Sequence, residues 1–104
     1  MLWVWRDGLR LTAGEPQYYG TPGGSGKLVQ RGWCPSCGGA VSAEIGLIPN
    51  VVGLMAASLD APERFRPEFE LWTSRAAPWD PLDPSLQHFE AGFARDVILT
   101  RLKR

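Results

Sequence analysis

The sequence predicts a mainly β protein built of short antiparallel strands, with a cysteine turn at the tip of one hairpin. Three observations carry this expectation. Glycine (12) and proline (9) are plentiful and scattered, and they cut the chain into pieces too short for long helices. Several of those pieces alternate apolar and polar residues, the period of a strand with one buried face. The only two cysteines stand as Cys34-Pro35-Ser36-Cys37 and are followed by Gly38-Gly39.

Leu2–Trp5 reads as a strand, and Asp7-Gly8 as a tight turn that returns the chain through the alternating Leu9-Arg10-Leu11. Tyr18-Tyr19 is a short aromatic strand after the Gly14-Glu15-Pro16 turn. The glycine and serine content of residues 21–26 (TPGGSG) predicts a flexible loop. Residues 27–33 lead as a strand into the cysteine turn, and Ala40–Ile45 returns from it. Residues 51–59 form the most apolar run and are expected as a central strand buried on both faces. Residues 60–66 predict a turn or one helical turn, with Asp60 as cap and Pro62 just inside. Residues 69–73 read as another strand, and the proline-rich 76–84 as irregular surface chain. Only residues 93–104 carry helical periodicity, through Phe93, Val97 and either Leu99 or Leu102, which predicts a short C-terminal helix.

Length and charge narrow the function classes. A chain of 104 residues is expected to form a single domain, residues 1–104. Eleven basic and eleven acidic residues give no net charge, so no electrostatic footprint for nucleic acid or an anionic membrane is expected. No stretch reaches the roughly 20 apolar residues of a membrane helix. The apolar start meets Arg6 and Asp7 too early for a secretory signal, so a cytoplasmic location is expected.

The cysteine turn is the main chemical feature. A Cys-x-x-Cys turn sets two thiolates on one side of a metal ion, and its backbone amides point at the sulfurs and lower their pKa. Pro35 shapes the turn, and Gly38-Gly39 permits the positive φ of a knuckle. Cys34 and Cys37 are therefore the expected metal ligands, and zinc the expected ion. A thioredoxin-like reading needs a helix after the turn, whereas an alternating strand follows. Zinc takes four ligands, and beyond these two cysteines the chain offers one histidine, His88, more than fifty residues away.

The remaining candidates favour bland readings. Phe69, Trp72 and Trp79 are expected in the core rather than lining a groove. Arg75 is expected to be solvated, and Asp80 and Asp83 to be ordinary loop charges. Residues 23–27 (GGSGK) lack the full phosphate-loop pattern.

The order of motifs carries a resemblance. Residues 31–38 (RGWCPSCG) precede residues 57–67 (ASLDAPERFRP), then 70–75 (ELWTSR) and 77–79 (APW). With residues 3–5 and 11–18, this resembles the C-terminal part of the glutathione-dependent formaldehyde-activating enzyme family, whose domain is shared with centromere protein V. The resemblance covers roughly residues 1–93. It implies antiparallel sheets of the β-tent type and two zinc sites. One is structural, shared between an early Cys-x-Cys and the pair matching Cys34 and Cys37. The other is catalytic and held by an early Cys-x-Cys-x-x-Cys. The five early cysteines have no counterpart here. The resemblance thus implies a carbon–sulfur lyase acting on the glutathione–formaldehyde adduct, while the catalytic ligands are missing and no catalytic residue carries over. Activity is not expected from the chain alone. A non-catalytic assembly module is the alternative. A homodimer is expected, with two copies of Cys34 and Cys37 completing one zinc site; the alternative is a dimer held by apolar burial alone, with no metal.

Overall fold

A computed structural model describes residues 1–92 and 95–102. Five strands form one antiparallel sheet: β1 (Leu2–Trp5), β2 (Gln17–Pro22), β3 (Leu28–Trp33), β4 (Ala40–Ile45) and β5 (Val51–Leu54). Their order across the sheet is β1-β5-β4-β3-β2, so β5 is internal, as its apolar sequence requires. Val51 and Val52 lie on opposite faces of the pleat, and both are buried.

The expected hairpin at Asp7-Gly8 does not form. Arg6–Gly8 is a single 3-10 turn, and Leu9-Arg10-Leu11 stays outside any strand. β1 pairs instead with β5, in the register Leu2 to Leu54 and Trp5 to Val51. The reason is burial: β5 lacks a neighbour on its second side, and the Leu-Trp-Val-Trp strand supplies apolar cover that Leu9-Arg10-Leu11 cannot. Trp3 lies over Gly53, where a Cβ would sit 2.8 Å from the indole ring, so close packing requires glycine there.

The central run also ends earlier than its composition predicts. β5 stops at Leu54, and Ala56–Ser58 turns as a 3-10 segment. The Ser58 hydroxyl donates to the Met55 carbonyl at 2.6 Å, giving the backbone a local alternative to the ladder. Pro62–Arg64 forms the predicted turn with Pro62 at its start, but the cap position is Ala61 and no side chain caps it. Asp60 therefore does not have the expected capping role.

Beyond residue 60, regular structure is sparse. β6 (Phe69–Glu70) and β7 (Gln87–His88) make a two-stranded sheet, and it is parallel rather than antiparallel. The strand predicted over 69–73 is cut short because Trp72 adopts a left-handed conformation (φ 56°) and starts the Thr73–Arg75 turn. Backbone bonds from Trp72 N–H to the Ala91 carbonyl and from Thr73 N–H to the Phe89 carbonyl hold the segment in place. A short helix, α1 (Arg95–Arg101), follows. Phe93, one of the residues on which the helix was predicted, lies outside the described residues. The buried helical residue is Ile98, one position from the expected Val97. Ile98 meets Ile48 and Val51 in a compact core, with Trp3, Trp5 and Phe69 packed around it. Among the described residues, no helix is long and apolar enough to cross a membrane.

Candidate functional site

β3 and β4 form the predicted hairpin, and the cysteine turn is its tip. The register slips between Gly32 and Trp33, a bulge that twists the strand end just before Cys34. Two backbone bonds close the turn: Cys34 N–H to the Gly39 carbonyl at 2.8 Å and Gly38 N–H to the Cys34 carbonyl at 2.7 Å. Gly38 sits at φ 77°, the left-handed position foreseen for this knuckle. Gly39 N–H donates to the Cys37 sulfur at 3.4 Å. The backbone N–H groups of Cys37 and then Ser36 hold the Cys34 thiol below its ordinary pKa, which favours the thiolate that a metal or an electrophile would meet. Both cysteines are free thiols, with Cys37 exposed and Cys34 half-buried.

The structure thus builds the knuckle, and the chemistry of its donors suits zinc. It does not gather a full set of ligands: among the described residues, no group of three or more His, Cys, Asp or Glu side chains could hold a metal ion. His88 is engaged elsewhere. Its Nε2 lies 2.9 Å from Glu70 Oε2 and 2.8 Å from the Asp83 carbonyl. Asp83 in turn accepts from the Ser85 hydroxyl at 2.7 Å. That bond, then the Ser85 N–H, holds the Asp83 carboxyl below its ordinary pKa, and His88 adds a smaller effect. These groups fasten the loop between β6 and β7.

Two aromatic expectations do not hold. Trp79 is 85% exposed and Trp72 48%, so neither is a core residue, whereas Phe69 is half-buried against the core. Trp72 instead lies against Gly24 and Gly92. Arg75 and Asp80 are exposed, as expected.

A cleft of about 1070 Å³ lies on the sheet face that carries Val29, Arg31, Ala43 and Ile45, and Phe69 and Trp72, expected in the core rather than lining a groove, both line it. Residues of the 59–72 segment and of α1 also line it. Arg31, at the start of the 31–38 motif, and Arg64 and Arg66, both within the 57–67 motif, line it from two distant parts of the chain.

A mainly antiparallel sheet with a cysteine knuckle on a central hairpin defines the class: a mainly β domain that carries a Cys-x-x-Cys turn at a hairpin tip. Residues 1–75 match the model of one family, described as "Glutathione-dependent formaldehyde-activating enzyme". The match spans well over half of the chain, and the protein belongs to that family. No curated protein and no solved structure matches it.

Proposed function

We propose that this chain is a zinc-binding domain of the formaldehyde-activating type that has no carbon–sulfur lyase activity by itself. Cys34 and Cys37 would hold one side of a tetrahedral zinc. The knuckle carries this reading: amide donors face the sulfurs, and the Cys34 thiol is shifted toward its ionised form. Zinc at a fully ligated catalytic site would supply Lewis acidity toward the glutathione–formaldehyde adduct. Two thiols do not make such a site, so no step of that reaction is assigned to these residues. The five-stranded sheet would form one wall of a β-tent. Free thiols fit a reducing, cytoplasmic setting.

The second reading is assembly. β2 is an edge strand that exposes Tyr18 and Tyr19, and an open edge invites pairing with another chain. A two-fold dimer would let two copies of Cys34 and Cys37 complete one site of four thiolates. Native mass spectrometry with added zinc tests both readings. One zinc per two chains, lost in the Cys34→Ser, Cys37→Ser variant together with the dimer, is the result expected for a shared site. A zinc-free monomer refutes both. Adduct formation from glutathione and formaldehyde should stay at background, and turnover abolished by chelation would restore the enzyme reading.

A further inference from the structure

We propose that the cleft over the β3–β4 face binds a small amphipathic carboxylate, its apolar body on the sheet and its charge held by Arg31, Arg64 and Arg66. The cleft has the size for this. At about 1070 Å³ it stands just above the range of small-molecule sites, roughly 300–1,000 Å³. Its walls are chiefly apolar: Trp3, Ile45, Phe65 and Phe69 offer flat and aliphatic surface to a hydrocarbon or ring.

The charge distribution selects the sign of the ligand. The chain as a whole is neutral, yet four arginines and only two carboxylates line this cleft. Arg101 is already engaged. It lies 3.4 Å from Glu68, donates to the Gln87 amide oxygen at 2.9 Å and stacks 5.3 Å from the Phe69 ring centre. Arg31, Arg64 and Arg66 form no ion pair among the described residues, and Asp60 is the one lining carboxylate left to set against them. An unmatched excess of positive charge beside apolar walls attracts an anion that also carries apolar surface.

Two of these side chains are also pre-placed. Arg66 Nη1 donates to the Glu63 carbonyl at 2.7 Å and to the Phe65 carbonyl at 3.3 Å. Arg31 Nη1 donates to Thr21 Oγ1 at 3.4 Å from within β3. Each keeps further N–H donors of its planar fork for a ligand. Arg31 comes from the sheet and Arg64 and Arg66 from the turn region after β5, and all three line the one cleft. A guanidinium fork suits a planar carboxylate, which it can bind through two parallel bonds.

This inference is independent of the metal reading, so the test is run with a chelator present. Calorimetric titration of the folded chain compares decanoate, decanol and acetate. Decanoate should bind, decanol should bind roughly tenfold more weakly, and acetate should not bind. The double variant Arg64→Ala, Arg66→Ala should bring decanoate down to the affinity of decanol and leave decanol unchanged. Arg31→Gln should weaken decanoate in the same direction, and it carries the test by itself if the double variant loses its native circular dichroism. Equal affinity for decanoate and decanol, binding of acetate as tight as that of decanoate, or no binding of decanoate each overturns the proposal.

Discussion

The residues from Leu2 to Leu54 and those from Met55 to Gly92 are held by different means. In the first region, backbone ladders run through five strands in fixed register, and buried Val51, Val52 and Ala43 lie along them. In the second, the chain passes through three 3-10 turns and a pair of two-residue strands. It is tied down by single bonds such as Ser74 to the Glu90 carbonyl and His88 to Glu70. The contrast shows where robustness sits. A ladder shares its loss among many bonds, whereas a loop fastened by a few polar contacts opens locally when one is removed.

The largest test of the comparison is Ile48→Ala. Ile48 is 3% exposed and lies in the core beside Val51, so truncation should cost about 2–5 kcal/mol. Urea unfolding should show one cooperative transition moved to lower denaturant. A local change confined to the turn after β4 would break the picture of a cooperative sheet.

Gly38→Ala sharpens it at the knuckle. A Cβ at φ 77° should cost roughly 1–2 kcal/mol of backbone strain. Thermal unfolding reads the cost, and zinc affinity should fall with it if the turn holds the metal. No change in either would show that the turn relaxes without penalty.

His88→Ala probes the second region. The contact with Glu70 is partly exposed, so its loss should cost about 1 kcal/mol or less globally. Hydrogen exchange should speed up around residues 83–89 and stay unchanged in β3–β5. Equal acceleration in both regions would show that the loop and the sheet open together.

The smallest expected effect is at Asp83. Its depressed carboxyl pKa means that any stability it contributes is present above the ordinary carboxylate range and fades as pH falls through the depressed value. Ser85→Ala should move the Asp83 titration midpoint upward, as followed by carboxyl NMR. An unmoved midpoint would show that the Ser85 bonds do not set it.

The sequence was informative where structure is periodic or local. Alternation and turn residues located β3, β4 and the cysteine turn, because strand period and knuckle geometry are written in adjacent residues. The order of short motifs pointed to the family now matched over residues 1–75. Partner choice was not written there. Whether β1 pairs with Leu9-Arg10-Leu11 or with β5 depends on which contact buries more apolar surface, and β5 lies more than forty residues away. The exposure of Trp72 follows from a left-handed backbone at a residue type that rarely adopts one, for which the sequence carries no signal. Arg31, Arg64 and Arg66 line one cleft because the sheet and the 59–72 segment together form it. Local composition therefore determined the strands and the thiol pair. Tertiary structure decided which strands meet, which aromatics face solvent and which arginines line the cleft, because each of those depends on contacts between distant segments.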